Sequence, residues 1–230
     1  MVFLGNHPAL YIGFIMLMVT PCTDWYLIFT NIAKGNVALS TSILPLNLLL
    51  QVLFLPFYLF LFAGTTGVVE VKFLVESILL VLFIPLLLTV GTKWLLRNKQ
   101  QLRKKWITKL SAFPIIFLSL AIVTMFASQG HLLLDHLGLL ALLTIPLFLF
   151  FAINFVVSQK VGHLMNYSYP DRTSLSLTTL ARNSPIALAI ALTAFPDQPL
   201  IALVLVIGPL LELPILAIIT QLLLVRSKRD

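Results

Sequence analysis

The sequence has little charge and a single cysteine. Asp, Glu, Lys and Arg together make up 10% of its 230 residues, whereas hydrophobic residues make up 60%. A soluble domain is about a quarter charged and about half apolar, so this composition excludes a soluble globular protein. The lone Cys22 excludes an intrachain disulfide. We therefore predict an all-α, polytopic membrane protein.

Motifs of enzymes and of cofactor sites are also missing. The four histidines show no metal-ligand spacing, and no glycine loop of the nucleotide-binding kind occurs. We predict no enzyme activity, no cofactor and no metal site. The net charge of +7 does not indicate nucleic acid, because most cations lie at the ends of apolar runs. The expected partners are the lipid bilayer and a small-molecule or ion substrate, and the oligomeric state is left open.

Seven apolar runs are each long enough to cross a bilayer, which takes about 20 residues. They cover residues 9–33, 37–63, 71–96, 107–128, 132–157, 174–195 and 199–225. Pro21 interrupts the first run, which could instead be two segments and raise the count to eight. We favour one kinked span, because each half is too short to cross alone and proline kinks a helix without ending its path.

The basic residues fall on one side of this arrangement. They are Lys34, the cluster between residues 97 and 105, Lys160, Arg172 and the tail from 226 to 229. The connections 64–70, 129–131 and 196–198 contain no Lys or Arg, and Lys72 is the one discordant cation. Basic connections stay in the cytoplasm. We therefore expect a multi-pass protein of the plasma membrane with a cytoplasmic C-terminus.

Two polar, proline-interrupted stretches stand out in this apolar chain. One begins with Pro21-Cys22-Thr23-Asp24, and the other begins with Arg182-Asn183-Ser184-Pro185. Cys22 and Gln51 are 29 residues apart, as are Asn183 and Glu212. Polar breaks at matching positions in two halves are typical of the substrate site of a repeat-built secondary transporter. Hydrocarbon supplies no hydrogen bonds, so such breaks must lie against protein or a wet cavity.

One helix face in the second span is polar. Ser40, Asn47 and Gln51 are spaced by 7 and 4 residues, which places them on the same side of a helix. They could serve as hydrogen-bonding groups between helices or as the wall of a cavity. The neighbouring Pro45 and Pro56 free backbone carbonyls and favour the cavity.

Glu212 lies near the middle of the last span. An ionisable group at this depth costs at least a few kcal/mol and marks a functional site by default. Burial favours the neutral carboxyl, which could then exchange protons near neutral pH. A structural pair with Arg182 is the alternative, and the two readings are compatible.

Cys22 begins a half-helix beside Pro21 and Asp24. It could be an ordinary small buried side chain. The N-terminus of a helix, however, favours a thiolate, and thiolates are soft ligands for metalloids. Asp24 is expected either to cap the half-helix or to carry a proton.

The run Pro21-Cys22-Thr23, with Lys-Gly-Asn-Val-Ala-Leu-Ser at 34–40, resembles the bile acid/sodium symporter superfamily. Residues 182–189 resemble the second crossing helix of that superfamily. Pro-Cys-Thr, Asn47 and residues 208–214 are most similar to the arsenite efflux permeases. The resemblance implies proton-linked metalloid efflux through two broken crossing helices. It implies a functional Cys at Cys22 and a functional Glu at Glu212. Together with the polar stretches described above, this leads us to expect substrate binding by Cys22, Asn47, Gln51, Asn183 and Ser184, and proton coupling by Glu212 and Arg182.

Sodium coupling is not expected. Members of the superfamily that use sodium resemble one another in a Ser-Asn pair on the first crossing helix and in a Glu-Val-Gly-Met-Gln sequence that leads into the second. This chain has Tyr26-Leu27 in place of the pair and Thr-Thr-Leu-Ala-Arg, at 178–182, in place of the second sequence. A fixed cation thus stands where sodium ligands should be. The arsenite-type pattern continues Asn-Asp, whereas this chain has Asn47-Leu48. An organic anion paired with Arg182 is therefore the alternative substrate.

The resemblance also implies ten spans in two inverted halves of five. Residues 71–230 supply a full second half, panel-like over 71–128 and core over 132–225. Residues 1–70 supply only two core spans, so we expect the first three helices to be missing. A non-transporting membrane subunit or fragment is accordingly a further hypothesis.

Overall fold

The computed structural model describes residues 7–23, 25–63, 72, 75–76, 79–97, 113–135 and 137–227. Asp24, the connection 64–70 and nearly all of the basic cluster between 97 and 105 lie outside these residues. Nine α-helices are assigned within the described part. They are α1 (Pro8–Val19), α2 (Trp25–Ile32), α3 (Val37–Ala63), α4 (Ile84–Leu95), α5 (Phe113–Asp135), α6 (Leu137–Leu164), α7 (Tyr169–Leu180), α8 (Ser184–Ala194) and α9 (Pro199–Arg226). A π-helical turn, Leu79–Phe83, precedes α4.

Several of these helices have the length and composition of membrane spans. Gly138–Leu164 within α6 and all of α9 qualify without a break, and α3 qualifies if its two parts, bent by 47°, count as one. The bend in α3 lies at residue 52, four residues before Pro56. A proline ring clashes with the carbonyl at that distance and donates no hydrogen bond. The all-α membrane class is confirmed, whereas the seven-span count and the inverted repeat stay predictions.

The predicted connection at residues 129–131 is wrong, because these residues continue α5 to Asp135. The segment contains no proline, and its single Gly130 weakens a helix by only about 1 kcal/mol. The helix that enters the predicted span 174–195 begins earlier, at Tyr169. There Pro170 occupies the first turn, and the Ser168 hydroxyl accepts a hydrogen bond from the N–H of Asp171.

The first predicted span is divided into two helices, of 12 and 8 residues, that meet at a break around Pro21. The α7–α8 pair is divided in the same way at residues 181–183. α1 packs against both α3 and α9. Gly13 permits the close approach to α9, since a Cβ there would lie 2.8 Å from the Ile201 carbonyl oxygen. α9 also contacts α2, α5, α6, α7 and α8, so it is the central helix of the described core.

The Lys-Gly-Asn connection between α2 and α3 is tied to the start of α7. Asn36 donates its backbone N–H to the Pro170 carbonyl (3.0 Å) and its amide N–H to Asp171 Oδ1 (2.8 Å). Its amide oxygen accepts the N–H of Leu39 and so caps α3, while the Ser174 hydroxyl donates to its carbonyl. One side chain therefore joins the two crossing helices at this end of the molecule.

Gly35→Ala should destabilise the protein by about 1–3 kcal/mol, the usual cost of overpacking. The added Cβ would lie 2.7 Å from Thr30 Cγ2 and 3.0 Å from Thr173 Cγ2. Gly91→Ala is the matched control, because a Cβ there meets nothing within 4 Å and alanine favours a helix. Thermal unfolding of the detergent-solubilised protein measures both. Equal melting temperatures for the two variants would contradict the packing argument.

Asp171, which lies outside the predicted span 174–195, should make stability depend on acid pH. Hydrogen bonds from the side chains of Ser168 and then Asn36 hold the pKa of Asp171 below its ordinary value. A depressed carboxyl pKa stabilises the folded state above the ordinary value of about 4, and this contribution is lost as the pH falls further. The melting temperature of wild type should therefore fall more steeply below pH 4 than that of Asp171→Asn. Parallel curves would refute the linkage.

Candidate functional site at the helix crossing

The two helix breaks meet and pair with each other. Pro21 and Arg182 form an antiparallel bridge. On either side of it, Cys22 donates its N–H to the Ala181 carbonyl (3.0 Å), and Asn183 donates its N–H to the Thr20 carbonyl (2.9 Å). Irregular backbone at membrane depth is tolerated only where protein or water satisfies it. Each break here satisfies the other.

The place where the two breaks pair, residues 20–22 with residues 181–183, is called the crossing below, and Glu212 adds a further hydrogen bond to it. The carboxylate is 2% exposed, and its Oε1 accepts the backbone N–H of Arg182 at 2.8 Å. The guanidinium of Arg182 turns elsewhere: it donates to the Thr179 carbonyl and lies 4.7 Å from the ring centroid of Phe150. The suspected pairing of Glu212 with Arg182 is thus made through the peptide N–H.

Two of the predicted substrate ligands hold the half-helices in place. Cys22 is buried, and its Sγ accepts the N–H of Trp25, the first residue of α2, at 3.3 Å. Asn183 caps α8 by accepting the N–H of Ile186, and its amide donates to the Thr23 hydroxyl at 2.9 Å. Both side chains therefore have a structural role at the start of a half-helix.

Ser184 lies in the first turn of α8 with its hydroxyl buried and without a partner among the described residues. Gly208 of α9 makes room for it, since a Cβ there would lie 2.8 Å from both the Ser184 Oγ and Leu17 Cδ1. Three helices, α1, α8 and α9, therefore approach closely beside the crossing.

A cavity of about 500 Å³ opens next to the crossing, between α1, α3, α6 and α7. Asn47, Gln51 and Arg182 line it, as does Pro21. The other predicted site residues lie at the crossing and do not line the cavity: Cys22, Asn183, Ser184 and Glu212. The structure thus divides the predicted site into a crossing and an adjoining cavity.

Polar atoms of the cavity wall lack partners among the described residues. They are Asn47 Nδ2, both amide atoms of Gln51, Thr178 Oγ1 and Arg182 Nε. A buried donor or acceptor without a partner costs about 1–3 kcal/mol. These atoms are covered in this conformation, so a ligand in the cavity could pair with them only after the side chains of the wall reorient.

Ser40 belongs to the same buried face as Asn47 and Gln51, as the spacing predicts, but it contacts a different helix. Its carbonyl accepts the hydroxyl of the fully buried Tyr26 at 2.8 Å. The face is therefore divided: one end packs against α2, and the other lines the cavity.

Sequence reasoning missed Asn154, Thr178, Thr179 and Tyr58, all of which line the cavity. Asn154 carried a usable signal, because it is a lone polar residue in the apolar run 149–157. Its amide N–H donates to the Phe150 carbonyl. The sequence gives no such indication for Thr178 and Thr179, because a threonine hydroxyl readily donates to a carbonyl of its own helix, as that of Thr179 does here.

Comparison with known sequences shows the family of the chain. Residues 1–136, more than half of the chain, match the Sodium Bile acid symporter family. The chain belongs to this family. The match confirms the predicted superfamily and the prediction that the chain is not an enzyme, because the family is one of symporters.

Individual relatives extend the similarity along nearly the whole chain. The arsenical-resistance protein Acr3 of Corynebacterium glutamicum is 26% identical over 227 residues, covering 93% of this chain and 61% of that protein. An uncharacterised transporter of Synechocystis is 26% identical over 214 residues, covering 91% and 56%. Acr3 of Alkaliphilus metalliredigens is 24% identical over 220 residues, covering 91% and 60%. The chain thus spans about three fifths of the length of these relatives.

Loss of a side-chain amide should lower the stability of the protein when the residue lies at the crossing, but not when it lines the cavity. Asn183→Ala should destabilise the protein by about 2 kcal/mol, because it removes a helix cap and a buried hydrogen bond. Gln51→Leu should leave stability unchanged or raise it, since it removes buried polar atoms that have no partner. The melting temperatures of the two variants, compared with that of wild type, measure these effects. A large destabilisation by Gln51→Leu would show that the amide is structural.

Proposed function

We propose that this protein is a proton-linked secondary transporter that exports an arsenite- or antimonite-type metalloid from the cell. The observation that carries the proposal is the Pro21–Arg182 bridge between two broken helices, with the buried Glu212 bonded to it. Paired breaks with an ionisable group beside them are the substrate and coupling sites of repeat-built carriers. Family membership and two relatives named as arsenical-resistance proteins support it.

The cavity suits a small molecule that carries hydroxyl groups. Arsenite near neutral pH is a neutral species with three hydroxyls, each of which both donates and accepts hydrogen bonds. The residues that line the cavity supply Nδ2 of Asn47 and both polar atoms of the Gln51 amide, which are buried and have no partner among the described residues. Cys22 lies at the adjoining break. Once this break between α1 and α2 opens during transport, the thiol binds the metalloid through sulfur and one hydroxyl of the metalloid leaves as water with the thiol proton.

Glu212 couples this movement to a proton. In the structure its carboxylate accepts the N–H of Arg182 within the second break. A hydrogen bond to an ionised acceptor is about twice as strong as one to a neutral group. Protonation of Glu212 therefore loosens the second break, and release of the proton tightens it. The conformation of the crossing therefore depends on whether Glu212 is protonated.

The membrane arrangement belongs to the same proposal. The C-terminus and the basic connections lie in the cytoplasm of a plasma-membrane protein. Residues 1–70 and 71–230 belong to two inverted halves, with α1–α2 and α7–α8 as the corresponding broken helices.

An organic anion is the second candidate substrate. The observation that favours it is the half-buried Arg182, which lines the cavity and has an unpaired Nε. A guanidinium recognises a carboxylate through paired hydrogen bonds, and a volume of about 500 Å³ lies within the range of small-molecule sites. Carboxylate uptake that arsenite does not inhibit would favour this candidate over the metalloid.

Arsenite accumulation by inside-out vesicles should fall at least about tenfold in Cys22→Ser and Glu212→Gln, because one removes the thiolate and the other the exchangeable proton. Asp197→Asn, which changes an exposed acid, is the control and should transport like wild type. Wild-type rates in both site variants would refute the assignment.

Gln51→Leu provides a second, independent test of the cavity. It should keep its melting temperature yet lose arsenite accumulation, since only a ligand uses the amide. If wild type, present in the vesicles in folded form, accumulates neither arsenite nor a carboxylate, the result favours the hypothesis of a non-transporting subunit.

A further inference from the structure

Two polar side chains of the cavity wall have no part in the transport steps described above. They are Tyr58 of α3 and Asn154 of α6, which both line the cavity beside the crossing. Each belongs to a strongly apolar helix, where a polar side chain ordinarily forms a hydrogen bond to a neighbouring membrane helix. Among the described residues, neither side chain forms such a bond. Attachment of one helix to another therefore does not explain them.

The amide of Asn154 is oriented by its own helix. Its nitrogen donates to the Phe150 carbonyl, one turn earlier, at 2.8 Å. Only the nitrogen of an amide carries hydrogens, so this bond identifies the nitrogen and leaves the oxygen to accept from another group. In contrast to both polar atoms of the Gln51 amide, this oxygen is not enclosed by protein. Asn154 therefore supplies a hydrogen-bond acceptor to the cavity.

The hydroxyl of Tyr58 is positioned by contacts of its ring. Tyr58 lies on the face of α3 that lines the cavity, eleven residues after Asn47. The centroid of its ring is 5.8 Å from that of Phe54, one turn earlier, and 6.2 Å from that of Phe62, one turn later. The hydroxyl is not enclosed by protein and has no hydrogen-bond partner among the described residues. It is therefore free to donate to a ligand.

An open donor and an open acceptor in one cavity favour a ligand that both accepts and donates. A neutral hydroxyl group does both, whereas a carboxylate only accepts. A carboxylate would leave the Asn154 oxygen unpaired, and an unpaired polar group in a binding site lowers affinity. The guanidinium of Arg182 would attract an anion, but it already donates to the Thr179 carbonyl, and the carboxylate of Glu212 is bonded to the same arginine.

We propose that the Tyr58 hydroxyl and the Asn154 amide oxygen are specificity-determining groups that select a small, neutral hydroxy compound over a carboxylate. Tyr58 donates to one hydroxyl of the ligand, and Asn154 accepts from another. This selection rests on the proposed function, because it makes the cavity the place where the substrate is first bound. It involves neither the thiol of Cys22 nor the carboxyl of Glu212.

The probe is boric acid, which near neutral pH is a neutral molecule with three hydroxyls. Boron is a hard centre with little affinity for sulfur, so its binding does not depend on Cys22. The melting temperature of the full chain in detergent is measured against the concentration of boric acid and, separately, of acetate, at constant pH and ionic strength. Boric acid should stabilise wild type with a gain that rises with the logarithm of its concentration. Acetate should require higher concentrations for the same gain.

Tyr58→Phe and Asn154→Leu should each need about fivefold more boric acid for the same rise in melting temperature, the effect of losing one hydrogen bond. Tyr58→Phe keeps the ring and so removes only the hydroxyl. The measured quantity is the concentration dependence, which does not change in a variant that is merely less stable. Tyr167→Phe and Asn31→Leu are the matched controls, because both residues are exposed and do not line the cavity. They should respond like wild type.

The proposal is overturned if boric acid does not stabilise wild type, or if acetate stabilises it at lower concentrations. It is overturned equally if Tyr58→Phe or Asn154→Leu responds like wild type, or if the control variants lose as much affinity as the test variants. Arsenite and transport play no part in these measurements. A failed arsenite assay beside the expected boric acid results would refute the metalloid assignment and leave the selection for hydroxyl groups in place.

Discussion

The absence of hydrogen-bonding partners in hydrocarbon is the constraint on which this structure depends. A helix that breaks at membrane depth exposes N–H and C=O groups that lipid cannot satisfy. The chain meets this constraint by bringing its two breaks together, so that the bridge between Pro21 and Arg182 pairs them directly. Glu212 accepts the additional N–H donor of Arg182. The approach of α1 to α9 at Gly13, and of α8 to α9 at Gly208, allows the bridge to form.

The same constraint separates structural polar groups from those available to a ligand. At the crossing, Asn183 and Cys22 have partners that fix the beginnings of the half-helices. In the adjoining cavity, the amide of Gln51 and the hydroxyl of Thr178 have none among the described residues. A polar group that is already satisfied gains little from a ligand, whereas an unsatisfied one gains a full hydrogen bond. The cavity is therefore the better candidate for the first contact with substrate.

The two crossing helices are joined at a second place as well. Asn36, in the connection between α2 and α3, is bonded to Pro170 and Asp171 at the beginning of α7. The bridge joins the same pair of broken helices at their centres. Two separate attachments make relative sliding of these helices costly, so we expect them to move as one unit. A carrier that works by alternating access needs such a unit to rock against the rest of the protein.

The amino-acid sequence by itself determined the membrane class, the positions of the two breaks and the bounds of α3. Composition, run length and proline position carry that information, because they act within a few residues along the chain. These local features wrongly predicted a connection at residues 129–131, because a short polar segment does not by itself end a helix. The tertiary structure alone decided which polar residues face the cavity and which face the crossing. That choice depends on partners far apart in the chain: Glu212 bonds to a residue 30 positions away, and Asn183 to one 160 positions away. No periodicity records such pairings, so only the folded arrangement of helices could reveal that Glu212 meets the backbone of Arg182 and that the guanidinium points to the end of α7.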